Sequence, residues 1–174
     1  PNAGAQGLEH TLAVKSRYAH LSNGDGAANK GADSAALSVA TYEAGLERLN
    51  RVDIFNLLCI PSDKVDGDTE ASVYTAAVAL CERRRATLVV DSPVGWEDDP
   101  SSVTGDSFST DLGITQSATA ARHAAVYFPR VMRPDPLRGN FSVRSPGCGM
   151  VAGVLSRTDA SRGVWKAPAG LDAG

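Results

Sequence analysis

Two short apolar runs with a helical segment between them constrain this chain more than any other feature. From Ile54 to Ile60, "IFNLLCI" is almost unbroken in apolar residues and stops at Pro61. Leu88, Val89 and Val90 form the second run, closed by Asp91 and Pro93. Runs of this length, rich in Ile, Leu, Phe and Val, suit strands covered on both faces. Between them, from Glu70 to Arg85, the residues Val73, Ala76, Ala77, Leu80 and Cys81 recur on one helical stripe. Strand, helix and strand in so short a stretch predict a βαβ unit with parallel strands and a right-handed crossover.

The alternation extends in both directions. Val39, Tyr42, Leu46 and Leu49 predict a helix beginning near Ala35, with Asp33 or Ser34 as its N-cap. Downstream, "PVGWEDDPSSVTGDSFS" reads as a long polar loop, Gln116 to His123 as a weak helix, and Ala124 to Phe128 as a third strand. "RPDPLRGN" reads as a proline-rich turn, and "GMVAGVLSRTDA" as a helix from Gly149 onward. The fold class expected is layered α/β, with a mostly parallel sheet flanked by helices over residues 35–174. Residues 1–34 are polar and glycine-rich, and "HTLAVKSRYAHL" alternates loosely, predicting a flexible or β-hairpin segment.

Composition narrows the function classes. The 174 residues are 43% apolar and 21% charged, the balance of an ordinary globular domain. A net charge of -3 gives no electrostatic footprint for nucleic acid. No run approaches the roughly 18–20 apolar residues needed to cross a bilayer. Cys59, Cys81 and Cys148 form no C-x-x-C pair and read as reduced thiols in or near the core.

Local chemistry assembles no catalytic, cofactor or metal set. Asp63, Asp66, Asp68 and Asp91 fall at the C-terminal edge of the predicted strands, where α/β folds place functional groups. They either gather round a cation or serve turns and caps. His10, His20 and His123 have no metal-ligand spacing, and there is no G-x-S-x-G elbow, no phosphate loop and no G-x-G-x-x-G after a strand. The glycines of "SPGCGMVAG" precede a helix, where backbone N–H groups either hold an anion or form an entry turn. Cys148, at that helix start, is the thiol whose setting favours a lowered pKa. Arg83, Arg84 and Arg85 end a predicted helix and complement its dipole.

Near the end, "RTDASRGVWKAPAG" packs Arg157, Asp159, Arg162, Trp165 and Lys166 into one short stretch. Gly163 allows a sharp exit from the preceding helix, and Pro168 prevents any helix from resuming after it. Longer segments carry more information than any of these residues. "LERLNRVDIFNLLCIP", "ALCERRRATLVVDSPVGW", "HAAVYFPRVMRPDPL" and "SPGCGMVAGVLSRTDASRGVWKAPAG" occur in that order. Together they resemble the sheath protein of contractile phage tails and phage-derived injection particles, over roughly residues 35 to 170.

The resemblance implies a subtilisin-like layered core without protease activity and without a cofactor. It implies a subunit of six-membered rings stacked round an inner tube, contracting to drive that tube through a target envelope. Its partners would be further copies of itself, the inner tube protein, and baseplate and terminator proteins, with no nucleic acid and no direct membrane insertion. Assembly would take place in the bacterial cytoplasm, as part of a phage tail or tail-like particle. Residues 1–34 would end a preceding outer domain, and a C-terminal domain and strand-forming arm would lie beyond Gly174. Neighbouring subunits of such sheaths are joined by terminal extensions that add strands to one another's sheets.

The resemblance gives the charged residues a purpose. Asp63, Asp66, Asp68, Glu97, Asp98 and Asp99, with Arg83, Arg84, Arg85, Arg130, Arg133 and Arg138, would offer charges to neighbouring subunits, with about a third of them in contact and the rest on a solvated face. Trp165 would be an amphipathic anchor at a domain seam, and "VWKAP" a clasp between the core and the C-terminal domain. Two other functions compete: a small α/β hydrolase or nucleotide-binding domain, and a particle decoration or receptor-binding module.

Overall fold

The computed structural model describes residues 35–64, 66–115, 118–136 and 139–170. The chain divides into two units, Pro1–Ala35 and Ala36–Gly174, and every element below belongs to the second. In chain order these are α1 (Val39–Arg48), a 3-10 turn (Leu49–Arg51), β1 (Leu57–Cys59), α2 (Ala71–Arg84) and β2 (Thr87–Asp91). Next come α3 (Val94–Asp98), a 3-10 turn (Pro100–Ser102), α4 (Ser107–Thr110) and a 3-10 turn (Thr119–His123). The last are β3 (Ala124–Tyr127), β4 (Val131–Asp135), β5 (Phe141–Ser145) and α5 (Cys148–Arg162).

The chain is mixed α/β, built on a three-stranded sheet in the order β1-β2-β3. Both pairings are parallel, with Leu58 opposite Leu88 and Val90 opposite Val126. Strand side chains alternate between faces. Leu58, Leu88, Val90, Ala124 and Val126 belong to the core cluster built with Val73, Ala77, Leu80 and Cys81 of α2. Val89 is 1% exposed but lies outside that cluster, and the neighbouring Cys59 directs its Sγ at the Cys148 carbonyl of α5, 3.4 Å away. Helices α2 and α5 therefore cover opposite faces of the sheet.

Helix α2 is buried over more than the expected stripe, since Tyr74 and Val78 are also enclosed. Each such side chain contributes about 1.5–3 kcal/mol on full burial. The helix ends in a Schellman motif: Arg85 is left-handed at φ 55, and Ala86 N donates to Cys81 O at 2.9 Å. Arg84 turns back from the last turn onto the carbonyls of Asn50, Val52 and Asp53, with its guanidinium 5.6 Å from the Phe55 ring centroid. This explains why the first strand is shorter than the apolar run predicts. Residues before Asn56 are held as a loop by Arg84, and Ile54 is 79% exposed.

Other departures have equally local causes. Helix α1 starts at Val39 because Ser38 is extended and its Oγ accepts from Thr41 N at 3.3 Å. The expected caps Asp33 and Ser34 lie outside the described residues. The weak helix expected before β3 is a 3-10 turn from Thr119, with Gln116 and Ser117 outside the description. The segment that reads as a long polar loop contains α3 and α4, anchored by Trp96. Its ring meets Phe108 edge-on at 5.8 Å, and its Nε1 donates to Asp111 Oδ2 at 2.8 Å. Beyond it, Gly113 at φ +64 lies so close to α2 that a Cβ would stand 2.7 Å from the Ala71 carbonyl oxygen.

The proline-rich turn joins an antiparallel pair, β4 with β5: Asn140 N donates to Asp135 O at 2.8 Å, but the strand reaches further into the segment than expected, so that Pro134 faces Ser142. In a two-stranded ladder each strand has one unpaired edge, so a proline inside it is tolerated. Met132 and Phe141 of this pair are 59% and 75% exposed.

Candidate functional site

The best-organised polar cluster lies at the C-terminal end of β2, where Asp91 and Ser92 leave the sheet. Asp91 is 5% exposed, and its Oδ1 accepts from Gly147 N at 2.6 Å and Cys148 N at 2.8 Å. These are unpaired donors of the first turn of α5, which prefer a negative partner. The glycine-rich helix entry therefore does hold an anion, and the anion is a carboxylate of the same chain. The side chain of Gly147's neighbour Cys148 is buried, and burial followed by the nearby Asp91 carboxylate pushes its thiol well above the usual range. The expectation of an acidified Cys148 is thus overturned: the helix start is already neutralised by Asp91, and the sulfur is dry.

Arg130 stands beside this cluster and is 7% exposed. Its Nε donates to Ser92 O at 2.8 Å, its Nη1 to Gly67 O at 2.9 Å and its Nη2 to Asp68 Oδ1 at 2.5 Å. Its backbone N–H donates to Glu97 Oε1 at 2.5 Å. The expectation that Arg130 offers its charge to a neighbouring subunit meets a different setting. Every one of these contacts is internal, because Asp68, Gly67 and Ser92 converge at the strand ends and a guanidinium fork matches their acceptors.

Of the four aspartates expected at this edge, Asp68 and Asp91 line one small cavity together with Thr69, Tyr74, Asp111 and Arg130. Asp63 and Asp66 do not line it. Among the described residues no group of three or more His, Cys, Asp or Glu is placed to hold a metal ion. Tyr74, enclosed in the core, has its hydroxyl pushed up to about 12, chiefly by burial. His123 Nδ1 lies 2.9 Å from Ala86 O, before the start of β2. That is roughly 16 Å along the strand from Asp91, so His123 forms no proton-transfer pair with Ser92 or Cys148.

The remaining interface candidates lie on the surface. Arg133, on β4, is exposed and its Nε donates to Ser145 Oγ at 2.8 Å. Arg157, Asp159 and Arg162 are exposed on the last turns of α5. Gly163 ends the helix at φ 89, the sharp exit expected there, and its N–H donates to Asp159 O at 3.0 Å. Trp165 is 84% exposed and Val164 81% exposed. The indole lies over Gly163, so close that a Cβ there would meet ring carbons at 2.3 to 2.7 Å. Lys166 is half-buried, and its Nζ donates to Ala167 O at 3.2 Å.

Several charges expected at subunit contacts also have internal work. Arg144, which no sequence pattern singles out, reaches Glu97 Oε2 at 3.5 Å and Asp98 Oδ1 at 3.3 Å. Asp99 caps the next turn by accepting from Ser101 N at 3.2 Å. Arg84 is turned onto loop carbonyls, whereas Arg83 and Arg85 retain more exposed positions at the helix end. The side chain of Arg138 lies outside the described residues. Of the two roles the sequence left open for Asp91, the structure shows the cap, since it accepts from the first N–H groups of α5, whereas the internal contacts of Arg130 are not visible in the sequence. The two residues are marked only singly, each as a charge at the end or edge of an apolar run.

No described helix is long and apolar enough to cross a membrane. Comparison of the chain with known protein families, curated proteins and solved structures gives no match.

Proposed function

We propose that this chain is the core of a contractile tail sheath subunit, subtilisin-like in its layering, with a mechanical rather than a catalytic task. The observation that carries the reading is the ordered resemblance of its four quoted segments to tail sheath proteins, the last segment above all. In the structure that segment runs from β5 through α5 to the Gly163 exit and the exposed Val164 and Trp165.

Two features support it. A subunit that slides and rotates between two assembled states needs a body that stays nearly rigid while its contacts change. The polar cluster at the strand ends stiffens this body from within: Asp91 fixes α5 to β2, and Arg130 ties the loop at Gly67 and Asp68 to the end of β2. The second feature is the exposed apolar group after α5, which suits the anchoring role proposed for Trp165. In this reading Arg133, Arg157, Asp159, Arg162 and Lys166 flank the contacts between copies. The partners are further copies, an inner tube protein, and baseplate and terminator proteins.

The test is electron microscopy of the full-length gene product expressed with its neighbouring genes. Long tubes or stacked rings are expected, with no metal or nucleotide requirement. Compact monomers alone, under those conditions, overturn the proposal.

A further inference from the structure

Two buried polar atoms at the end of β2 have no hydrogen-bond partner among the described residues: Asp91 Oδ2 and Ser92 Oγ. Asp91 is 5% exposed and Ser92 fully enclosed, so bulk water does not supply the missing bonds. A buried carboxylate oxygen in this condition is costly, and native proteins satisfy nearly all such atoms. The other oxygen of the same carboxylate is fully engaged by Gly147 N and Cys148 N, which fixes the side chain in place. Rotation toward a new partner would break both bonds. The partner must therefore come to Oδ2.

Beside Asp91 lies a cavity of about 40 Å³. Its walls carry the Thr69 and Tyr74 hydroxyls, the Asp68 and Asp111 carboxylates and the Arg130 guanidinium. A buried water needs at least about 10–15 Å³ and two to four polar partners. Both conditions are met. Thr69 Oγ1 donates to Ile60 O at 3.0 Å and interacts with the Tyr74 hydroxyl beside it.

We propose that this cavity is an internal hydration site, in which an ordered water donates one hydrogen to Asp91 Oδ2 and the other to a hydroxyl or carboxylate of the opposite wall. A small cation is the competing occupant for an acidic pocket. Two observations disfavour it: the guanidinium of Arg130 already lines the wall, and no set of three ligating side chains converges among the described residues. The water links the end of β2 to the start of α2 and to the Asp68 loop. The inference is independent of the sheath proposal.

The experiment is a high-resolution crystal structure of the 174-residue chain, from crystals grown in sodium buffer and then soaked in rubidium. A density peak about 2.6–3.2 Å from Oδ2, without anomalous rubidium signal, is expected. An empty cavity, a rubidium signal, or Oδ2 bonded to a protein group would overturn the proposal. In solution, oxygen-17 relaxation dispersion should lose one long-lived water in Asp91→Leu. Because that change also frees the start of α5, Tyr74→Phe is the second variant, and it should shorten the water's residence severalfold with helix content unchanged. An unchanged dispersion in folded Tyr74→Phe overturns the proposal even where Asp91→Leu fails to fold.

Discussion

Arg130 and Asp68 meet at 2.5 Å, with the arginine side chain 3% exposed and the carboxylate 48% exposed. The pair is therefore lopsided: the cation is committed to the interior while its partner still touches water. Removing the arginine leaves Ser92 O and Gly67 O short of donors as well. Arg130→Met is expected to cost about 2–3 kcal/mol, below the range for a fully buried pair because Asp68 remains hydrated. Urea unfolding monitored by circular dichroism measures it. Asp68→Asn should cost less than half as much.

Asp91→Ala removes the acceptor of two backbone donors at the start of α5. A loss of about 2–3 kcal/mol is expected, since bonds to a charged acceptor exceed neutral ones. Hydrogen exchange should rise first at Gly147 and Cys148, ahead of the rest of the helix. Uniform protection across α5 would show that the cap is not what holds it.

Gly163 and Trp165 make a paired prediction. Gly163→Ala forces a Cβ into the indole and into a backbone region L residues avoid, so the ring must swing away. Tryptophan fluorescence should shift, with a stability loss of about 1–2 kcal/mol. Trp165→Ala alone should leave the melting temperature of the core within about a degree or two, because the ring is 84% exposed. Its effect should instead fall on assembly of the full-length protein.

Arg85→Gly should stabilise the core by about 0.5–1 kcal/mol, because the residue sits in the left-handed cap of α2 at φ 55. A lower melting temperature would mean that the Arg85 side chain makes a contribution exceeding the strain.

Alkaline pH should loosen the fold. Burial pushes the Cys81 thiol from 9.0 up to about 11 and the Tyr74 hydroxyl from 10.0 up to about 12. Both groups hold their protons more tightly folded than unfolded. The stability this represents is intact below the unfolded values and is lost as pH climbs from about 9 toward 11 and 12. Melting temperatures across that window, compared with Cys81→Ala, measure the thiol's share. At about pH 8 the native protein should react slowly with thiol reagents at Cys81 and Cys148.

The parallel unit is legible in the sequence because its evidence is local and periodic: unbroken Leu88 to Val90, and Val73, Ala77, Leu80 and Cys81 on one stripe. The β4–β5 pair is hidden by Pro134 and Pro136, which read as a turn until the ladder is seen to have only two strands. The short helices after Pro93 are hidden because a main anchor, Trp96, finds Phe108 and Asp111 across intervening loop. Least legible is the polar cluster. Gly67, Asp68, Ser92, Asp91, Arg130 and Gly147 are scattered along the chain, and only the closing of the sheet brings them together. A charge beside an apolar run marks them singly, with nothing in the local pattern to pair them.

The all-parallel order β1-β2-β3 has a kinetic consequence. Neither pairing can be reached by a tight hairpin; each waits for an intervening stretch of helix and loop to close. Non-local pairing of this kind slows folding and leaves strand edges exposed while it proceeds. The antiparallel β4–β5 pair, closed by a short connection, carries no such delay. A chain emerging from the ribosome would therefore leave the β3-facing edge of β2 unpaired for as long as β3 remains unmade.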